Sequence, residues 1–137
     1  MQRTKTNVDQ YLSRLGDPVM TAMDAIITGA LPGRSRTLWT GVFWGGTEQE
    51  IIGYADIVQS RPRGPAVEWF AVGLARQKNH YSLYVNAVED GRYLSKAYAE
   101  RLGRVKAGAA AITFKDADAF DRAVLVEMLR HVDRLTP

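Results

Sequence analysis

Ala71–Asn86 reads AVGLARQKNHYSLYVN. Two apolar runs flank a compact basic and amide cluster: Arg76, Gln77, Lys78, Asn79 and His80. Val67 to Leu74 reads as one strand, with Trp69 and Phe70 at its centre, because β-branched and aromatic residues fit a pleated, half-buried surface. Tyr81 to Val85 reads as the next strand. Tyr81, Leu83 and Val85 face one way, and Ser82 and Tyr84 the other. Six residues join the two runs. A parallel crossover needs a dozen or more, so the pair is antiparallel.

The segment upstream repeats the pattern. Thr37–Trp44, TLWTGVFW, is a strand, Gly45-Gly46 is a hairpin turn signal, and Glu50–Val58 is the returning strand, with Gly53 a candidate bulge. Ser60–Pro65, SRPRGP, is a loop. Before these strands come two helices. Val8, Tyr11, Leu12 and Leu15 recur at helical spacing, and Gly16 ends the run. Asp17-Pro18 restarts it, the carboxylate as N-cap and the proline at the first helical position. The second stripe is Val19, Met23, Ile26, Ile27 and Ala30, stopped by Leu31-Pro32-Gly33. Residues 1–6 read as a loose polar arm.

Downstream, Asp90-Gly91 is expected to open a helix carrying Leu94, Ala97, Tyr98, Arg101 and Leu102, closed at Gly103. Ala110–Phe114 is a short strand. Lys115–Ala119 is an acidic connector, and Asp121 caps a last helix with Val124, Leu125, Met128 and Val132 on its inner side. The expected fold is therefore α+β: an antiparallel sheet of about five strands, helices packed on one face, in the order helix, helix, strands, helix, strand, helix.

Composition narrows the chemistry. The 137 residues fit one domain. No cysteine is present, so disulfides, thiolate metal sites and cysteine nucleophiles are excluded. No apolar run approaches the roughly 18 residues of a membrane-spanning helix. MQRTKTNVDQ has no apolar segment of the kind a secretory leader carries, so a cytoplasmic location is expected. The net charge of +3 comes from 18 basic and 15 acidic residues spread along the chain. A nucleic-acid binder concentrates such charge in a patch, so nucleic acid is not the expected partner.

Gly103-Arg-Val-Lys-Ala-Gly108 has the glycine spacing of a phosphate loop, but Ala109 and Ala110 stand where a lysine and a hydroxyl are needed. The bland reading, a turn between helix and strand, is preferred. His80 and Ser82 share a strand face, yet no acid is placed to orient His80, so no catalytic residue is assigned. Asp116, Asp118 and Asp121 form the one dense acidic group. Anions at a helix start more often offset its dipole than chelate. The strand aromatics Trp39, Trp44, Trp69, Tyr81 and Tyr84, interleaved with Arg76 and Lys78, could stack bases, although such rings more often build a core. Alternation puts Trp39 and Phe43 on one face and Trp44 on the other, and one set could line a groove.

Taken in order, several segments resemble the YdhG-like family, also called domain of unknown function 1801. They are VDQYLSRL, TLWTGVFWG, ARQKNHYSLYV and YLSKAYAERLGRVKAGAAAITFKDADAFDRAVLVEML. The resemblance runs from about Val8 to Val132. The chain departs where that family often has Gly-Lys: here Ala109 follows Gly108, and Lys106 is the nearby cation. The Ser60–Pro65 segment is also longer and richer in proline. The resemblance implies a small cytoplasmic α+β domain standing alone, mostly without assigned activity, and one frataxin-like branch that delivers iron.

The expected function is a binding module, monomeric or homodimeric, for an anionic small molecule or a protein partner. Its candidate ligand-binding residues are Arg76, Lys78, Asn79, His80, Trp39, Trp44 and Lys106. No cofactor is expected. The alternative is iron held by Asp116, Asp118 and Asp121, which a net basic chain with dispersed acids does not favour. Single-stranded nucleic acid is the second alternative.

Overall fold

The computed structural model describes residues 1–43, 46–60 and 62–137, with Phe43 described by its backbone alone. The expected placement of Trp44, the Gly45 half of the hairpin turn and Arg61 of the loop lie outside the described residues.

The helices form where the stripes predict them. α1 (Val8–Leu15) buries Val8, Tyr11 and Leu12, is capped by Asn7, and ends on Gly16 in the left-handed region at φ 57°. α2 (Pro18–Ala30) starts on Asp17, whose carboxylate accepts from the Val19 and Met20 amides. α4 (Arg122–Leu135) starts on Asp121, which accepts from the Val124 amide. Each cap supplies a partner to amides that the first helical turn otherwise leaves unbonded.

The strands are β1 (Gln2–Arg3), β2 (Arg36–Phe43), β3 (Thr47–Gln59), β4 (Val67–Arg76), β5 (Tyr81–Val85), β6 (Val88–Glu89), β7 (Arg92–Tyr93), β8 (Lys106–Ala107) and β9 (Ala111–Phe114). Seven of them make one sheet in the order β1-β2-β3-β4-β5-β9-β8, with every pairing antiparallel. The α+β class is as expected, but the sheet has seven strands rather than about five. The two additions are short edges. The N-terminal arm is not loose: Gln2 and Arg3 pair with Thr40 and Trp39, and the Thr4 amide donates to the Leu38 carbonyl at 2.9 Å. At the other edge Lys106 and Ala107 pair with Thr113 and Ile112. Two-residue edges leave no periodicity to read.

Asp90-Gly91 does not open a helix. It turns the β6–β7 hairpin, in which Glu89 faces Arg92, with Asp90 at φ 54° and Gly91 at φ 74°. Two consecutive positive φ values are the requirement of a tight hairpin turn, which Asp-Gly meets well. The helix starts later, as α3 (Leu94–Ala97), and continues into a 3-10 turn at Ala99–Arg101.

The helices cover one face of the sheet. Ile52, Tyr54, Val72, Leu74, Leu83, Val85, Ile112 and Phe114 meet Met23, Ile27, Leu125, Met128, Leu129 and Val132 in one core. The other face covers itself. Trp39, Ile51, Phe70 and Ala75 form a second cluster, with Trp69 stacked on Phe70 at 4.4 Å and edge-on to Trp39 at 5.3 Å. Gly53 and Gly73 pair with each other beneath it. A Cβ on Gly53 would stand 2.6 Å from Trp39 Nε1, and one on Gly73 2.5 Å from Phe70 Cε1. Gly53 is therefore an in-register floor for an indole, not a bulge. The irregularity falls at Ala55, at φ 63°. Tyr54 and Ala55 both belong to the helix-side core, as do Ala71 and Val72 opposite, and Phe70 then lies on the other side.

The packing of three phenols makes alkaline stability testable. Burial first, and then the nearby Glu50, push the Tyr11 hydroxyl up to about 12. Burial and the hydrogen bond to Asp17 push Tyr81 up to about 12, and burial with Asp24 alongside raises Tyr54 well above its ordinary value. Such groups stabilise the fold fully below the unfolded phenol value of about 10, and that stability is lost as pH rises toward the folded values. The expected result is a denaturant midpoint that falls above about pH 10, with a shallower fall in Tyr54→Phe. A midpoint that stays level through pH 11, roughly one unit above the free phenol value, would refute it. Among the described residues no helix is long and apolar enough to cross a membrane.

Candidate functional site

The residues expected at the site divide into three groups. The Arg76–His80 segment is a tight turn, closed by the Gln77 amide donating to the His80 carbonyl at 2.8 Å. Arg76 leans back to the start of α2, where its guanidinium lies 3.5 Å from Asp17 Oδ2. Tyr81 donates its hydroxyl to the same oxygen at 2.7 Å. Burial alone would raise the Asp17 carboxyl. The bonds from Tyr81, the Met20 and Val19 amides and Arg76 outweigh it and hold the group below its usual range. Arg76 is thus tied into the joint between β4 and α2. Lys78 and Asn79 are exposed at the tip, and His80 is half-buried, with no side-chain partner among the described residues.

Trp39 is not a groove residue. It is 3% exposed, lies over Gly53, and carries Arg3 on its face at 5.1 Å. Its indole nitrogen is the one buried side-chain donor among the described residues without a partner. An unfilled donor of this kind costs about 1–3 kcal/mol. The glycine floor explains the position: only a missing Cβ leaves room for the ring to lie flat.

Lys106 does reach a shared place with the turn. It lies on edge strand β8 and lines a groove of about 350 Å³ with Arg104, Val105, Thr113, Phe114 and Lys115. Lys115 donates to the Asn79 carbonyl at 2.6 Å, which draws the β4–β5 turn against this groove. Arg104, Lys106 and Lys115 therefore gather at one corner of the sheet, with the β4–β5 turn bonded to it at Asn79. Arg104 reaches only a backbone oxygen, that of Asp118 at 3.4 Å. Among the described residues none of the three pairs with a carboxylate. Sequence reading picked out Lys78 and Lys106 but missed Arg104 and Lys115. The signal available was Lys115 flanking the short strand, read there as part of an acidic connector.

The three acids serve local backbone groups. Asp116 accepts from the Asp118 amide at 2.6 Å and caps a 3-10 turn at Ala117–Ala119, and Asp121 caps α4. Among the described residues no group of three or more His, Asp or Glu is assembled to hold a metal.

Two further constellations lay outside the sequence reading. Glu89, His131 and Tyr98 form a chain: the His131 ring contacts Tyr98 Oη through Nδ1 at 2.9 Å and Glu89 Oε1 through Nε2 at 3.0 Å. It joins β6, α3 and α4, and burial raises the Tyr98 hydroxyl. The histidine with an acid partner is thus His131, not His80. Tyr98 is 9% exposed and His131 is half-buried, and the chain fastens these elements together. The second constellation, Asp24 with Arg36 and Tyr54, is taken up in the Discussion.

Searches for a matching protein family, curated protein or solved structure find none. The functional reading therefore rests on the geometry of this chain.

Proposed function

We propose that this chain is a binding module for an anionic small molecule, held at the corner where the β4–β5 turn meets the β8–β9 edge. The observation that supports this is the convergence of Arg104, Lys106 and Lys115 at one groove, with no carboxylate partner for any of them among the described residues, and with the β4–β5 turn joined to it through Lys115 and the Asn79 carbonyl. Unpaired cations that share a groove attract an anion and can bond it with charge assistance. Thr113 adds a hydroxyl at the groove wall. The YdhG-like resemblance remains a proposal carried by the sequence motifs alone, and it agrees with a small binding domain.

The test is an amide-resolved NMR titration with inorganic phosphate at low salt. Shifts are expected at Lys78, Asn79, Arg104, Lys106, Thr113 and Lys115. The Arg104→Ala/Lys106→Ala variant is expected to bind about tenfold more weakly, the equivalent of about 1.4 kcal/mol. Shifts scattered over the surface, or equal binding by the variant, would overturn the proposal. Binding of an acidic protein at this corner with no response to phosphate would move the reading to a protein partner.

A further inference from the structure

Resting on that reading, we infer that the anion is a carboxylate carried on a short extended peptide, which adds as a further strand along the open edge of β8. β8 is the last strand of the sheet and pairs on one side only, with β9. The hydrogen bonds fix which way its backbone faces. The Gly108 amide donates to the Ala111 carbonyl at 2.7 Å, and the Arg104 amide donates to the Ala119 carbonyl at 2.8 Å. In an antiparallel ladder, residues that exchange bonds alternate with residues that do not. Lys106, two positions from each of these donors, therefore turns its amide and carbonyl inward to Thr113. Val105 and Ala107 turn theirs outward. Among the described residues neither meets a further strand there. Open edge groups of this kind accept an added chain.

The side chains along this edge alternate in chemistry as well. Thr113 lies on the face away from the helices, because Ile112 and Phe114 on either side of it belong to the helix-side core. Lys106 pairs with Thr113 and takes the same face, where it shares a groove with Arg104 and Lys115. Val105 and Ala107 pack instead against the helix-side core. A strand laid along β8 sets every second side chain beside the cations and the ones between beside Val105 and Ala107. The sequence that fits is acidic, apolar, acidic, apolar. The same charges decide against a second copy of this chain. Two β8 edges pairing with each other would bring the Arg104 and Lys106 of both copies together, and like charges across a strand pair are destabilising. A free anion satisfies the cations but leaves the edge amides and carbonyls to water.

The experiment titrates the full chain, followed by NMR, with the capped peptide Val-Glu-Val-Glu-Val, its Val-Lys-Val-Lys-Val counterpart and inorganic phosphate. The acidic peptide is expected to bind about tenfold more tightly than the basic one, as cross-strand charge pairs allow, with slowed amide exchange at Val105 and Ala107. Every pairing in the sheet is antiparallel. In an antiparallel addition the peptide valines, level with Val105 and Ala107, carry the amides that face the edge. N-methylation of the valines is therefore expected to abolish binding, and N-methylation of the glutamates to preserve it. Ala107→Pro removes an outward amide that the β8–β9 ladder does not use, a substitution that edge strands tolerate. It is expected to weaken the acidic peptide about tenfold and leave phosphate binding unchanged. The peptide series keeps the test decisive if that variant fails to fold. An equal response to the two methylations, or equal binding of the acidic and basic peptides, overturns this inference. Phosphate binding without peptide binding overturns it too and leaves the anion site standing. Binding of neither overturns both readings.

Discussion

Gly103→Ala is expected to cost about 3–5 kcal/mol, the sum of a strained backbone and a steric clash. Gly103 sits at φ +105°, a conformation that side chains with a Cβ rarely adopt. An added Cβ would press on the Ala119 carbonyl oxygen and lie 2.8 Å from the Asp121 nitrogen. Those atoms are backbone and cannot swing away. They are also in use: the Arg104 amide donates to the Ala119 carbonyl at 2.8 Å, and the Asp121 amide donates to Leu102 at 2.8 Å. The substitution would thus pull apart the seam that joins the end of α3 and its 3-10 turn to the start of α4. Gly16→Ala is the control. Gly16 also has positive φ, at +57°, but nothing lies within 4 Å of its Cβ position, so only the conformational cost of about 1 kcal/mol applies. Chemical denaturation of both variants checks the comparison. A Gly103→Ala loss no larger than that of Gly16→Ala would show that the seam yields, contrary to its backbone bonding.

What the sequence made legible follows the range of the interactions. Local ones were readable. The apolar stripes of α1, α2 and α4, the caps at Asp17 and Asp121 and the β4–β5 hairpin each depend on residues a few positions apart. Asp90-Gly91 shows the limit of local reading, since the same dipeptide serves a helix cap or a hairpin turn. The outcome depends on whether Val88–Glu89 finds Arg92–Tyr93 to pair with. The candidate site was half legible. Lys78 and Lys106 stood out as cations near turns. The meeting of Lys106 with Arg104 and Lys115, and the bond from Lys115 to the β4–β5 turn, depend on β9 inserting between β5 and β8, a strand order that spacing does not give. Trp39 was read as a possible groove residue because alternation names a face without saying what covers it. Trp69, Phe70 and Arg3 pack on the ring, over a floor left open by paired glycines on two neighbouring strands. The Glu89–His131–Tyr98 chain spans 33 and 42 residues, and no local signal joins its members.

Asp24 is the position where a signal was present and went unread. It falls among Met20, Met23 and Ile27 on the buried side of α2, a charge in an apolar stripe. Such a residue needs partners, since an unpaired buried charge is costly. The structure supplies two. Tyr54 donates its hydroxyl to Asp24 Oδ1 at 2.8 Å, and Arg36 donates to Oδ2 at 3.0 Å and also reaches Asp9 at 2.9 Å. The triad pins α2 to β2 and β3 through the centre of the core. Asp24→Ala is therefore expected to destabilise the fold by about 3–5 kcal/mol, because the Tyr54 hydroxyl, on a residue 1% exposed, loses its acceptor and Arg36 keeps only a solvent-screened partner. Asp9→Ala, which removes that exposed partner, is expected to cost no more than about 1 kcal/mol. The net worth of the triad is a separate quantity from the cost of breaking it. Desolvating these charges opposes the attraction between them, so replacing all three members by apolar residues of similar size can be nearly neutral. Asp24→Leu/Arg36→Met/Tyr54→Phe is accordingly expected to recover most of the stability that Asp24→Ala loses. Urea denaturation of the single and triple variants measures both terms. Recovery would mean that the triad chiefly selects this packing of α2 over others. A triple variant as unstable as Asp24→Ala would mean that the charges themselves hold the helix to the sheet.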